Sequence, residues 1–267
     1  MMARRSSKAL VPWLASGLLA LAPLFGCATA PSAEDEELNR KRAAAHFNLA
    51  ADHADNGRIE LALRDLLTAA RLDPGDPRTQ HSLGIIYLQK GKVAEAEMHL
   101  LQALEIQPDY GQARFNLSTL YLGQGRYEEC IQQSKILYDD ATFVWPWRAL
   151  TNWGWAAYKL GRVEEARQQL EHSRKFRSHY WPTLLNLGIL EAEQGHKVEA
   201  IRYFSNVLEV DPEPEPSGVA EASYRLAEIY VSLGKRKQAV GHLRTAVVKA
   251  PSDPWGKKSE EYLKLLR

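Results

Sequence analysis

The sequence predicts an all-α, right-handed superhelical solenoid made of six copies of a two-helix unit and closed by a C-terminal helix. Three observations predict this fold: glycines recur at a near-constant interval, small residues occupy two fixed positions of that interval, and prolines mark its end. The 267 residues are 45% hydrophobic and 25% charged. This composition is typical of a folded protein and argues against extensive disorder.

The recurring glycines define the period. They are separated by 34, 34, 36, 34 and 39 residues, at Gly57, Gly91, Gly125, Gly161, Gly195 and Gly234. An interval near 34 residues is that of tetratricopeptide repeats, which are helix–turn–helix units. Repeats that begin at 43, 77, 111, 147, 181 and 220 place every one of these glycines at the fifteenth position. We expect the glycine to occupy the turn between the two helices, where the backbone needs a positive φ.

Small residues at the eighth and twentieth positions would let the paired helices approach closely. The twentieth position holds Ala62, Ala96, Cys130, Ala166, Ala200 and Ala239. The thirty-second position, which ends the second helix, is proline in four copies: Pro74, Pro108, Pro212 and Pro251. A single repeat could not bury its apolar face without neighbours, so the copies are expected to stack into one continuous core.

The domain organisation follows from this register. The predicted repeats span residues 43–76, 77–110, 111–144, 147–180, 181–214 and 220–253, and together occupy 43–253. Residues 254–267 alternate apolar and charged side chains and are predicted to form a capping helix. Two insertions interrupt the period: Trp145-Pro146, and residues 215–219, which continue the sequence DPEPEPSG and are predicted to extend a stiff polar loop.

The N-terminus has the pattern of a lipoprotein signal peptide, predicted over residues 1–26. Basic residues precede an apolar run over 9–25, which is short for a membrane span. The run ends in Leu24-Phe25-Gly26-Cys27, which resembles the lipobox of bacterial lipoproteins. The resemblance implies covalent diacylglyceryl and N-acyl groups, such as palmitate, on Cys27, and no other cofactor. An ordinary signal peptide with a chance cysteine is the alternative.

The residue after the cysteine is Ala28, not the aspartate that would resemble an inner-membrane retention signal. The resemblance therefore implies a lipid anchor in the periplasmic face of the outer membrane. Residues 27–42, the lipidated cysteine and the small and acidic residues after it, are predicted to form a flexible tether with a reach of roughly 20 Å. Cys130 is expected to be a buried, inert thiol.

The sequence contains no convincing catalytic or metal-binding motif. Its histidines are dispersed, and His46 and His53 stand too far apart on one helix to share a metal. Beyond residue 26 the chain has 31 basic and 33 acidic residues, a balance that argues against nucleic-acid binding. We therefore expect neither an enzyme nor a small-molecule-binding protein.

The predicted functional surface is the concave groove. Helix periodicity places defined positions of each first helix on that side. The side chains at these positions are apolar or aromatic: Phe47, Ile85, Leu88, Phe115, Leu122, Trp155, Tyr158, Leu185, Ile189, Tyr224 and Val231. Such a groove suits an amphipathic helix or an extended peptide of a protein partner. The alternative is that some of these residues pack against neighbouring repeats.

The sixth position of the repeats adds a possible ladder of amides, formed by Asn48, Asn116, Asn152 and Asn186. A side-chain amide can donate and accept hydrogen bonds together, so it could hold a peptide backbone of any sequence. Hydrogen bonding inside the repeat array is the equal alternative.

A lipobox followed by six tetratricopeptide repeats resembles the pilotin lipoproteins of type IV pilus machines. The likeness is most specific across repeats three and four, at Arg114-Phe115-Asn116-Leu117, residues 125–129, Tyr138-Asp139-Asp140 and Trp145-Pro146. It implies a chaperone-like protein that binds subunits of the outer-membrane secretin and promotes their outer-membrane localisation and multimerisation, for pilus biogenesis and pilus-dependent motility. The tryptophan-rich junction around Trp145 departs from the family pattern.

Two other functional interpretations are consistent with the same features. The chain could be an adaptor that docks a periplasmic protease or cell-wall enzyme in the groove. It could also be a structural subunit of an assembly machine for outer-membrane β-barrels. The phenotype of a deletion would separate them: lost pili, an altered envelope, or a broad loss of barrel proteins.

Overall fold

The protein is a solenoid of helix pairs. The structure, a computed structural model, describes residues 32–210 and 215–266. Within these ranges it contains thirteen α-helices and no strand. The helices are α1 Ala33–Asp55, α2 Ile59–Leu72, α3 Pro77–Gln89, α4 Val93–Ile106, α5 Gly111–Gly123, α6 Tyr127–Asp139, α7 Pro146–Lys159, α8 Val163–Phe176, α9 Trp181–Glu193, α10 Lys197–Leu208, α11 Pro216–Ser232, α12 Arg236–Lys249 and α13 Pro254–Leu265.

The turn inside each helix pair is set by glycine. All six recurring glycines have positive φ, from 69° at Gly57 to 80° at Gly195. In every turn the residue after the glycine donates its N–H to the carbonyl five residues earlier, as Lys92 does to Tyr87 at 2.9 Å. This pattern satisfies carbonyls that the end of a helix leaves unpaired. The predicted role of the glycines is confirmed.

Small residues bring the two helices of each pair together. All six residues of the twentieth position are fully buried. At the eighth position, a Cβ added to Gly154 would lie 2.7 Å from Leu170, and one added to Gly188 would lie 2.5 Å from Phe204. Real Cβ atoms do not approach other atoms this closely, so glycine is required for the observed helix spacing. The buried Leu117, Leu187 and Leu226 then fill the space between repeats.

The arrangement of helices gives the solenoid its curvature. Successive odd-numbered helices from α3 to α11 contact one another, whereas the even-numbered helices contact mainly the odd-numbered helices next to them in sequence. The odd-numbered helices are therefore closer together and line the inner, concave side. The predicted all-α repeat solenoid is confirmed.

The first helix corrects the prediction of a flexible tether. Residues 33–42 form the N-terminal part of α1 and are exposed almost throughout. Ser32 caps this helix: its Oγ accepts a hydrogen bond from the Asp35 N–H at 3.2 Å, and the Asp35 carboxylate accepts one from the Ser32 N–H at 3.2 Å. Glu37 forms an ion pair with Lys41 at 3.3 Å. These local interactions extend a helix that residues 43–55 have already nucleated by packing on α2.

A second correction concerns residues 215–219, predicted as part of a polar loop. The helix α11 begins at Pro216, four residues before the predicted start of the sixth repeat. Gly218 and Val219 are buried, and a Cβ at Gly218 would lie 2.7 Å from the ring of Trp181. This contact with α9 stabilises the additional residues at the start of α11.

The solenoid is closed at its C-terminal end by α13. Asp253 caps the helix by accepting a hydrogen bond from the Trp255 N–H at 2.8 Å. Trp255 packs against the buried Ala220, Ala246 and Ala250. The helix thus shields the end of the last pair from solvent.

Candidate functional site

The concave surface begins with an apolar cleft between α1 and α3. Its volume is about 170 Å³, and it is lined by Phe47, Ala50, Ala51, Ala54, Leu66, Ser82, Ile85, Ile86 and Gln89. The guanidinium of Arg78 lies 5.3 Å from the centre of the Phe47 ring. The structure thus brings the predicted groove residues Phe47 and Ile85 together. The cleft could accept one apolar side chain of a partner.

The next feature of the concave surface is an aromatic shelf on α7, formed by Trp155 and Tyr158. The rings of Trp155 and Tyr158 stack with their centres 4.7 Å apart, and the Lys159 ammonium lies 4.7 Å from the Trp155 ring. Both rings are half-buried. Burial raises the pKa of the Tyr158 phenol, as does its hydrogen bond to Glu193. The shelf therefore presents a flat apolar surface, and the Tyr158 hydroxyl at its edge is hydrogen-bonded to Glu193 of the next repeat.

A second cleft, of about 250 Å³, lies between α9 and α11. Ile189, Ala192 and Ile229 provide its apolar lining. Charged side chains complete it, namely Glu193, Lys197, Arg225 and Glu228. Arg225 forms ion pairs with Glu221 at 3.4 Å and with Glu228 at 3.7 Å. The charged members of this cleft were not among the predicted site residues, because the apolar pattern gave no signal for them.

Several predicted groove residues belong to the protein's own packing. Leu185 is 7% exposed and Ile189 is 5% exposed, so Leu185 offers almost no surface to a partner and Ile189 only the edge of the second cleft. The Phe115 ring lies 6.4 Å from Phe143 and 5.6 Å from the Arg148 guanidinium, in a cluster formed by the junction before α7. These residues reach the concave side but are committed to the contacts between repeats.

The C-terminal end of the groove is covered by the last helix. The Tyr224 ring lies 5.3 Å from Trp255 and 6.1 Å from Tyr262. Tyr224 is therefore part of the contact between α11 and α13 as well as of the groove wall.

Three further predicted groove residues are half-buried: Leu88 in α3, Leu122 in α5 and Val231 in α11.

Two of the four predicted ladder asparagines bridge neighbouring repeats. Asn116 Nδ2 lies 2.8 Å from His81 Nε2, and Asn152 Nδ2 donates to Ser118 Oγ and Thr119 Oγ1, both at 3.0 Å. Asn48 is exposed and Asn186 is half-buried. Asn116 and Asn152 thus hold successive inner helices in register, while Asn48 is the one most open to a ligand.

His81 is a structural residue that the sequence did not single out. Its Nδ1 lies 3.3 Å from the Tyr110 hydroxyl, opposite the contact with Asn116. Burial lowers the pKa of His81 to about 4, so the ring is neutral at pH 7. A neutral ring can accept at Nε2 from Asn116 and donate at Nδ1 to Tyr110.

The remaining candidate groups are metal-ligating side chains and the Cys130 thiol. Among residues 32–210 and 215–266, no group of three or more His, Cys, Asp or Glu side chains could hold a metal ion. Cys130 is fully buried, as expected, and burial raises its pKa to about 12. In the same ranges no helix is both long and apolar enough to traverse a bilayer. Cys27 and the predicted signal peptide lie outside the described residues.

Comparisons with protein families identify the repeats. Three family models, each described as tetratricopeptide repeat, match residues 75–135, 147–172 and 185–254. Together they cover more than half of the chain. No curated protein matches the sequence.

Solved structures with this fold include PilW and pilF. PilW, described as a widely conserved type IV pilus biogenesis factor, is 19% identical, with a TM-score of 0.70 over 81% of this chain and 97% of its own. The pilF protein of Pseudomonas aeruginosa is 16% identical, with a TM-score of 0.68 over 84% of this chain and 99% of its own.

A thermophilic repeat protein of Thermus thermophilus is 21% identical, with a TM-score of 0.59 over 70% of this chain and 98% of its own. At these identities the likeness establishes the fold. The family matches, the six glycine turns and the stacked helix pairs agree with one another. This chain is a tetratricopeptide-repeat protein folded as an all-α solenoid.

Proposed function

We propose that this chain is a pilotin of a type IV pilus machine. It binds subunits of the outer-membrane secretin through the concave groove and promotes their localisation and multimerisation in the outer membrane. The observation that carries this proposal is the extent of the fold match to PilW and pilF, each of which is covered almost completely. The proposed outcome is pilus assembly and pilus-dependent motility.

The N-terminal sequence supports an anchored form of this protein. Cys27 follows Leu24-Phe25-Gly26 in the lipobox pattern, and we propose that it carries acyl groups inserted in the periplasmic face of the outer membrane. More than one acyl chain is needed for stable anchoring. A bound secretin subunit would then be delivered to the membrane in which it assembles.

The groove supports binding of a helix or extended segment with apolar anchors. The cleft between α1 and α3 and the cleft between α9 and α11 could each accept a side chain, and α7, which carries the Trp155–Tyr158 shelf, lies between them in the order of inner helices. Burying one large apolar side chain contributes about 1.5–3 kcal/mol. Anchors spaced along one segment would therefore provide affinity without a deep pocket.

The test is site-specific photocrosslinking in cell envelopes. A photoreactive phenylalanine analogue replaces Tyr158 on the shelf, and in a matched control the same analogue replaces the exposed Gln132 of α6, an outer helix. We expect a secretin as the main adduct from position 158 and not from position 132. A protease or cell-wall enzyme as the main adduct would instead favour the adaptor reading, and β-barrel assembly subunits would favour a structural role in that machine. Equal labelling from both positions would contradict the groove as the binding surface.

A further inference from the structure

The central inner helices of the solenoid carry no acidic residue. None of α3, α5 and α7 contains an aspartate or a glutamate, whereas α2, α4, α6 and α8 on the outer side each contain at least two. The same three inner helices contain four basic residues, namely Arg78, Arg114, Arg148 and Lys159. The middle of the concave surface is therefore built from helices with a net positive charge.

Two of these four cations have partners inside the protein. The Arg78 guanidinium pairs with the Asp76 carboxylate at 3.0 Å. The Arg114 guanidinium donates a hydrogen bond to the Gln133 side chain at 2.7 Å. Both side chains are thus used by the fold.

The two cations of α7 lack such partners. The Arg148 and Lys159 side chains form no ion pair and no hydrogen bond with any residue that the structure describes. Aromatic rings hold them instead. The Arg148 guanidinium lies 5.6 Å from the Phe115 ring and 5.3 Å from the Trp145 ring, and the Lys159 ammonium lies 4.7 Å from the Trp155 ring. A ring attracts a cation without neutralising it, so both side chains are positioned while their charges stay uncompensated.

The acids that approach α7 belong to later helices. Glu193 of α9 is hydrogen-bonded to the Tyr158 hydroxyl. Burial raises the pKa of the Tyr180 phenol, while the charge of Arg148 lowers this pKa and that of Glu215, just before α11, raises it. No ion pair joins Glu215 to Arg148. The cations of α7 therefore remain available to a carboxylate from outside the chain.

Arg148 and Lys159 stand at the two ends of α7 and hence at opposite edges of the groove. Together with Asn152 and Trp155 they recur at intervals of four, three and four residues, which places all four on one side of the helix. We call these four residues the concave face of α7. The two cations are separated by about 16 Å along the helix axis. A helix with its side chains is about 10–12 Å wide, so one helix fits between them.

We propose that the concave face of α7 binds an acidic amphipathic helix of the protein partner. The apolar stripe of that helix contacts the Trp155–Tyr158 shelf, and carboxylates on both sides of the stripe meet Arg148 and Lys159. Charge-assisted pairs would then form where the free protein has none. A flat bilayer cannot follow a concave surface, so a membrane is not the occupant. This inference rests on the proposed groove function and specifies the charge of the segment that the groove selects.

Anisotropy of two labelled helical peptides tests the proposal. Both peptides have eighteen residues and the same leucine stripe; glutamates flank the stripe in one, and lysines replace them in the other. The protein spans residues 28–267, which include every described helix and the contacts between them. We expect the glutamate-flanked peptide to bind about fivefold or more tightly than the lysine-flanked one. This preference should shrink between about 0.05 and 0.5 M salt, because salt screens surface charges.

The test variant combines Arg148→Gln and Lys159→Gln and should bind the two peptides within about twofold of each other. The matched control combines Lys175→Gln and Arg244→Gln at exposed sites on outer helices and should keep the preference. Lys159→Gln alone changes an exposed side chain and should lose part of the preference without a change in fold. Circular dichroism and the melting temperature establish that the variants fold.

Three results would overturn the proposal: no binding of either peptide, equal affinities of the unaltered protein for both, or equal effects of the test and control variants. The crosslinking experiment at Tyr158 is independent of these results. A secretin adduct together with equal peptide affinities would overturn the charge preference and leave the pilotin proposal intact. A different adduct together with the preference for glutamate would do the reverse.

Discussion

At the scale of single residues, the close packing of two helix pairs requires glycine at one position of the first helix. Gly188 faces Phe204 across the fifth helix pair, and Gly154 faces Leu170 across the fourth. Both glycines lie inside helices, where glycine costs roughly 0.5–1 kcal/mol relative to alanine. The close approach of the paired helices compensates for this cost, because it buries leucine and phenylalanine side chains completely.

Alanine substitution should therefore have opposite effects at two helical glycines. In Gly188→Ala the new methyl group would lie 2.5 Å from Phe204, and we expect a loss of about 1–3 kcal/mol in the free energy of unfolding. Gly241→Ala, on the exposed face of α12, should stabilise the protein by about 0.5–1 kcal/mol. Urea denaturation of both variants measures the difference. Stabilisation by Gly188→Ala would show that the helix pair has room for a side chain.

At the scale of elements, adjacent inner helices are held in register by polar contacts as well as by packing. His81 on α3 lies between Asn116 on α5 and Tyr110 just before it, and Asn152 on α7 donates to Ser118 and Thr119 on α5. Buried polar groups are costly unless they are paired. The apolar contacts tolerate small shifts between helices, whereas these hydrogen bonds do not, and they specify one register.

The state of His81 makes the contact between α3 and α5 sensitive to acid. Its pKa is about 4 in the folded protein because of burial and about 6.5 when unfolded. The unfolded chain therefore binds more protons between these values, so stability is complete above about pH 6.5 and falls as the pH is lowered toward 4. We expect a loss of about 2 kcal/mol between pH 7 and pH 5.

The variant His81→Gln isolates this contribution. Glutamine can keep a hydrogen bond to Asn116 but does not titrate, so the variant should lose less stability on acidification than the unaltered protein. Burial also lowers the pKa values of His99 and His242, so a smaller dependence on pH should remain. Urea midpoints at pH 7 and pH 5 provide the comparison. An identical loss in both proteins would assign the acid sensitivity to other groups.

At the scale of the whole molecule, the helical start of α1 changes the geometry of the proposed anchor. Residues 33–42 are helical and extend about 15 Å. Only residues 28–32 separate them from Cys27, a reach of at most about 17 Å. The proposed lipid would therefore hold the first repeat within a few tens of ångströms of the membrane.

Cys27→Ala tests the anchor in cells. We expect the variant to fold with an unchanged melting temperature, because residue 27 precedes the repeats in the sequence, and to leave the membrane fraction. Secretin multimers in the outer membrane should then fall at least severalfold, as measured by fractionation and by gels that preserve multimers. Normal multimers alongside a soluble variant would contradict delivery by the lipid while leaving groove binding open to the crosslinking test.

The residues of the concave groove were predicted only in part from the sequence. The glycine period predicted the turns and the buried twentieth position because these depend on contacts inside one repeat. The same period placed Leu185, Phe115 and Trp155 on one side of their helices, but it could not separate anchors from packing. That distinction depends on how closely neighbouring repeats approach, and this distance is set by side chains about 34 residues away in the sequence.

The sequence by itself determined the repeat fold, the helix pairing and the closing helix, since local turn geometry and close helix contact demand particular residues at particular spacings. Only the tertiary structure decided that residues 33–42 are helical, that α11 starts early against Trp181, and that Asn116 and Asn152 join repeats. The physical reason is that these features depend on surfaces that exist only after the repeats have stacked, or on a helix that packing elsewhere has already nucleated.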